Sequence, residues 1–170
     1  MGNKRILVAY ASRYGSTGEI SQEIGEVLRS SGMSVDVRNV CEVTDLSGYE
    51  GAVIGSPIYM GKWLPEAAEF VRQFQEDLRE MPVAVFAVGF SMKEPTESNR
   101  QYALAAVHTI RPYVHPFDIG LFGGRITFGS LSAADRDMIR MSGAEEGDFR
   151  DWDEITAWAS GLIALFESED

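Results

Sequence analysis

Five short apolar runs, separated by segments with helical periodicity, constrain this chain more than any other feature: Ile6 to Tyr10, Val35 to Val40, Ala52 to Ile54, Val83 to Val88 and Phe117 to Phe122. Each is nearly continuous and rich in β-branched or aromatic residues. Strands buried on both faces read this way, and such strands belong to parallel sheets. Between the runs, Ile20, Ile24, Val27 and Leu28 share one helical face. So do Leu64, Ala67, Ala68, Val71, Phe74 and Leu78; Tyr102, Ala106 and Ile110; and Trp152, Ile155, Ala159, Leu162 and Phe166. Ser16 or Thr17 is placed to cap the first helix and Gly32 to end it. Pro65 suits the first turn of the next, where its missing N–H costs nothing. Strand–helix alternation with right-handed crossovers predicts an open five-stranded parallel α/β sheet covered on both sides.

The 170 residues carry no internal repeat, low-complexity tract or linker, so residues 1–170 read as a single domain. The stretch from Gly123 to Gly147 is too long for an ordinary strand-to-helix connection. It holds a short helical segment, Ala133 to Met141, between glycine-rich joints, and reads as a functional elaboration.

Charge narrows the partners. The formal net charge is −11, and residues 135–170 hold 11 acidic against 3 basic residues, a local net of −8. Nucleic-acid binding needs a basic face and is not expected, nor is adhesion to an anionic membrane. No run approaches the ~18 apolar residues of a membrane span, and no signal peptide opens the sequence, so the expected location is the cytoplasm. An acidic surface serves solubility, or steers the protein toward a basic partner surface. The single cysteine, Cys41, excludes an internal disulfide and a cysteine-built metal centre, and reads as a half-buried small hydrophobe near a strand end. His108 and His115 are too few and too distant for a metal cluster, so no protein-ligated metal is expected.

Chemistry concentrates where strands run out. The first strand leads through Ala11-Ser12-Arg13-Tyr14-Gly15-Ser16-Thr17-Gly18 into a helix. A phosphate there would meet the helix N-terminus and its partial positive charge. Ser12, Ser16 and Thr17 add hydroxyl donors, Gly15 permits an anion-binding turn, and Arg13 is the one cation of the loop. Neither a nucleoside-triphosphate loop nor a dinucleotide glycine fingerprint is present. The alternative reading of this loop is an ordinary capped turn.

The stretch SRYGST after an apolar first strand resembles the FMN phosphate loop of flavodoxins, usually written T-x-T-G-x-T. Tyr14 stands where that family often has threonine, so its backbone amide is the more credible donor. The resemblance implies a flavodoxin-like three-layer sandwich of strand order 2-1-3-4-5, with FMN at the switch point between the first and third strands. It places a first flavin-facing loop at Ser56-Pro57-Ile58-Tyr59-Met60-Gly61 and a second at Gly89-Phe90-Ser91. Tyr59 and Met60 are the expected ring contacts, whereas Trp63 reads rather as a staple against the sheet.

A second likeness covers the C-terminal third. The stretch DMIRMSG, followed by a helix start at Asp148-Phe149-Arg150-Asp151-Trp152, is similar to the end of the menaquinone-dependent protoporphyrinogen dehydrogenases. The long basic insertion typical of those enzymes has no counterpart between Tyr113 and Thr127. Two functions follow as expectations. One is an FMN electron carrier serving redox proteins with basic docking surfaces, as a monomer or weak homodimer and without catalytic side chains. The other is an FMN-dependent dehydrogenase of the protoporphyrinogen oxidase or quinone reductase type, which would need a substrate pocket beside the flavin built by residues 92–100 or 123–131.

Overall fold

In the first strand, β1 (Arg5–Tyr10), Ile6 and Val8 face one core layer while Leu7 and Ala9 face another. The same two-residue period runs through β3 (Gly51–Tyr59) and β5 (Val83–Val88), which send Ile54, Val85 and Ala87 to one side and Val53, Phe86 and Val88 to the other. Both faces are therefore covered. A computed structural model describes residues 4–89, 92, 94, 96–141, 143 and 145–168. With β2 (Ser34–Asn39) and β6 (Asp118–Phe122), these strands form a parallel sheet of order β2-β1-β3-β5-β6. The short β4 (Lys62–Trp63) folds back antiparallel on the end of β3.

Helix α1 (Ser16–Ser30) and helix α6 (Trp152–Glu167) cover the face of Val8 and Phe86, burying Ile20, Ile24, Leu28, Ile155, Leu162 and Phe166. The opposite face carries α2 (Pro65–Gln73), α3 (Gln75–Arg79) and α4 (Glu97–His108). This is the expected flavodoxin-like three-layer sandwich, the extra β4 aside. After β6 the chain makes an excursion: β7 (Arg125–Ile126), then α5 (Ala133–Met141), then β8 (Gly147–Asp148), which returns to pair antiparallel with β7. Among the described residues, no helix is long and apolar enough to cross a membrane.

Several local expectations are corrected. Neither Ser16 nor Thr17 caps α1; the cap position belongs to Gly15 at φ 94°, and Thr17 lies inside the helix, buried. The helical face from Leu64 to Leu78 is broken at Phe74 (φ −103°, ψ 20°), where the Gln75 side chain donates to the Arg72 carbonyl and ends α2. Cys41 is exposed, because Asn39 ends β2 with a capping box and the chain leaves the sheet in a 3-10 turn. Tyr102 shares the helical face of Ala106 and Ile110, but it is 47% exposed near the carboxyl edge of the sheet.

Candidate functional site

Strand order reverses between β1 and β3, and beyond the carboxyl ends of β1, β3 and β5 lies an open pocket of about 270 Å³. The loop after β1 forms its floor at one end. Gly15 adopts a left-handed conformation that a side chain would strain, and its N–H donates to Ser12 Oγ at 2.9 Å. The turn is thus fixed by its own hydroxyl. Arg13, Tyr14, Ser16 and Thr17 line the pocket; Ser12 and Gly15 shape it from behind.

The first segment expected to face a flavin is mostly strand rather than loop. Parallel pairing to β5 persists to Pro57, and Ile58 and Tyr59 then pair with Trp63 and Lys62 of β4. The turn is only Met60 and Gly61, at φ 53° and 78°, a two-residue hairpin of the primed type. Pro57, Ile58, Tyr59 and Met60 line the pocket, with Met60 73% exposed at its rim. Ser56 points elsewhere: its buried hydroxyl accepts the Leu64 N–H at 2.9 Å and donates to the Pro57 carbonyl. Gly61 is not among the lining residues. Trp63 is buried in the core beneath the hairpin, as its staple reading anticipates. From the second segment, Gly89 lines the pocket and donates its N–H to the Phe122 carbonyl at 2.9 Å. Phe90 and Ser91 lie outside the described residues.

The far wall is one that sequence reasoning anticipates only in part, through residues 123–131 and not through Tyr102 or α5. It comes from Tyr102, from Gly124, Arg125 and Ile126 around β7, and from Leu131, Asp135, Met138 and Ile139 around α5. Gly124 passes so close to the loop after β1 that a Cβ would stand 3.3 Å from Ser16 Oγ. The signal available was the unusual length of segment 123–147; nothing in it marks Asp135, Met138 and Ile139 of α5 as lining the pocket.

Asp135 joins this wall to the rest of the site. It is 3% exposed, and its Oδ2 accepts from Arg13 Nε at 2.7 Å and from the Tyr14 hydroxyl. Its Oδ1 accepts from the Tyr59 hydroxyl at 2.6 Å. The Arg13 hydrogen bond, working against burial and helped by the two phenols, holds the Asp135 carboxyl well below the usual carboxylate range. Reciprocally, the Arg13 guanidinium is held above its ordinary value by Asp135, and the Tyr59 phenol is raised by donating to the same carboxylate. Arg13 also stacks over the Tyr59 ring, 4.4 Å from its centre. With Arg13 so committed, an anion at the head of α1 would be held chiefly by neutral donors: amides of the first turn and the hydroxyls of Ser16 and Thr17.

A family model described as a flavodoxin domain matches residues 7–153. The protoporphyrinogen IX dehydrogenase [quinone] of Escherichia coli K12 is 26% identical over 173 residues, covering 95% of this chain and 96% of that one. A flavodoxin of Streptococcus pneumoniae TIGR4 superposes with a TM-score of 0.58 at 17% identity, over 95% of this chain and 99% of its own. The rubredoxin oxygen:oxidoreductase of Desulfovibrio gigas superposes at 0.59 with 13% identity over 96% of this chain, which spans 36% of that longer protein. The family model spans most of the chain, and the chain belongs to the flavodoxin domain family.

Proposed function

We propose that this chain binds one FMN without covalent attachment and passes electrons through it to and from partner proteins in the cytoplasm. One observation carries the reading: the loop Ser12–Thr17, the β3 hairpin and Gly89 converge on a single pocket at the switch point of the sheet. The residues suit the group. Ser16, Thr17 and the first turn of α1 offer donors for a dianionic tail, and Gly124 leaves the approach clear. Tyr59, Met60, Ile58 and Tyr102 offer apolar and aromatic surface for a flat ring. When bound, FMN would supply the redox chemistry; the chain holds the phosphate, orients the ring and limits water on the α5 side. The acidic surface, net −11 overall, suits partners with basic docking faces.

A second reading has its own support. The α5 wall adds Leu131, Met138 and Ile139 beside the pocket, and the Escherichia coli dehydrogenase resembles this chain along nearly its whole length. An apolar small molecule held against the flavin would make the protein a dehydrogenase or quinone reductase. Purification and spectroscopy test the common claim: a yellow protein that releases intact FMN on acid treatment and prefers FMN to riboflavin. Assays then separate the readings. Shuttling from a low-potential reductase to an acceptor protein indicates the carrier, and protoporphyrinogen oxidation coupled to quinone indicates the enzyme. A colourless protein that binds neither flavin would refute both.

A further inference from the structure

The Asp135 carboxylate draws together residues that are far apart in the chain: Arg13 is 122 positions away and Tyr59 is 76. Among the described residues, its three side-chain donors come from the loop after β1 or the end of β3, and none from its own helix. Within the excursion, the neighbouring charge is spent locally, since Arg136 donates to the Phe128 and Leu131 carbonyls. The Asp135 N–H meets Ser132 Oγ at 3.2 Å, which fixes the start of α5, and the Ser132 N–H reaches the Tyr14 hydroxyl at 3.5 Å. A nearly buried carboxylate is retained only where its hydrogen bonds are well satisfied, and removing it leaves the donors around it unpaired.

We propose that Asp135 is a positioning residue of the flavin site, which holds Arg13 and Tyr14 so that docking of α5 and the shape of the phosphate loop form one cooperative unit. This rests on the FMN reading of the pocket. Arg13 acts through geometry: clamped by Asp135 and laid over Tyr59, it fixes the backbone whose amides face the phosphate. An asparagine at 135 keeps one acceptor oxygen and puts an NH2 in place of the other, so it confronts either Arg13 and the Tyr14 hydroxyl or the Tyr59 hydroxyl with a donor, and both the loop and α5 would loosen. The effect should fall on the phosphate end of the ligand more than on its ring.

The test uses the full chain and two flavins. Wild type, Asp135→Asn and the gentler Tyr14→Phe are titrated with FMN and with riboflavin by fluorescence quenching. The flavin-free proteins are also digested with trypsin, with cleavage after Arg136 and Arg140 followed by mass spectrometry. Asp135→Asn should bind FMN about tenfold more weakly while riboflavin changes less than about threefold. Cleavage within α5 should accelerate. Tyr14→Phe should shift the FMN-to-riboflavin preference in the same direction by about threefold, and it decides the matter if Asp135→Asn does not fold. Equal losses for both flavins, or an unaltered preference in the folded variants, would overturn the role of Asp135. Wild type that binds no FMN refutes the reading of the pocket instead, which is a separate and recognisable outcome.

Discussion

Gly55 and Phe86 are partners across the β3–β5 pair, and a Cβ on Gly55 would lie 2.0 Å from the Phe86 ring. The ring cannot retreat easily, because it meets Trp158 and Phe122 at centroid distances of 6.0 and 6.1 Å. Gly55→Ala should therefore destabilise the fold by about 1–3 kcal/mol through overpacking. Urea unfolding measures this, and Phe86→Leu in the Gly55→Ala background should recover part of the loss. A double-mutant cycle with no coupling would show that the loss does not come from this contact.

Ser12 holds the turn after β1 closed by accepting the Gly15 N–H, and in the proposed FMN site its hydroxyl could still donate toward the phosphate. Ser12→Ala should weaken FMN binding by about two- to tenfold, the worth of one ordinary hydrogen bond, and leave riboflavin nearly unaffected. Parallel titrations check it. Equal sensitivity of the two flavins would detach this turn from phosphate recognition.

Electron exchange with a basic partner should slow as salt rises. Asp135 and Asp148 are paired with Arg13 and Arg150, but Asp137, Asp151, Asp153 and Glu154 remain exposed in a stretch whose net charge is −8 (11 acidic, 3 basic). Exposed charges act over about 10 Å at moderate ionic strength, so the association rate rather than the chemical step should respond. Stopped-flow rates that stay flat from low to high salt would leave solubility as the sufficient account of the acidic surface.

The hairpin tip puts a methionine at φ 53°, where Asn or Gly is preferred. Met60→Asn should stabilise the flavin-free protein by about 1 kcal/mol, and Gly61→Ala, at φ 78°, should destabilise it by a similar amount. Thermal or urea unfolding reads both. If Met60→Asn also weakens flavin binding, the strained residue is being kept for its contact with the ligand.

The Asp135 carboxyl is held low by Arg13, so its stabilising contribution is complete above the ordinary carboxylate value of about 3.9 and is lost as pH falls below it. Asp148 has the same sign, with its folded value lowered to about 2 by Arg150. The stability gap between wild type and Asp135→Asn should accordingly narrow as pH drops from about 5 to about 2. Urea midpoints at stepped pH measure it, and a gap independent of pH would mean the pair contributes no differential protonation.

The sheet was legible because strands buried on both faces leave unbroken apolar runs such as Val83 to Val88. The Ala133–Met141 helix was equally plain. What could not be read is which acids are buried. Asp135 sits in a helix with four charged residues among nine and looks like a surface carboxylate until the fold brings Arg13 and Tyr59 to it. Ser56 shows the converse: it lies in a segment that invites a ligand role, yet its hydroxyl is spent on Leu64. Phe74 breaks an otherwise continuous apolar stripe, and nothing in helical periodicity marks that position.

The β7–β8 ribbon closes the excursion at its base, pairing Arg125 with Asp148 and Ile126 with Gly147. At the same neck, Phe149 donates its N–H back to the Gly124 carbonyl at 3.0 Å. Chain entering and leaving at one narrow stem is free to change in length and content without disturbing the strands behind it. Ile126 and Gly147 are thus natural splice points: a different insert sewn between them would present a new surface to whatever approaches the pocket while leaving the parallel sheet in place, provided it supplies an acceptor for Arg13, Tyr14 and Tyr59.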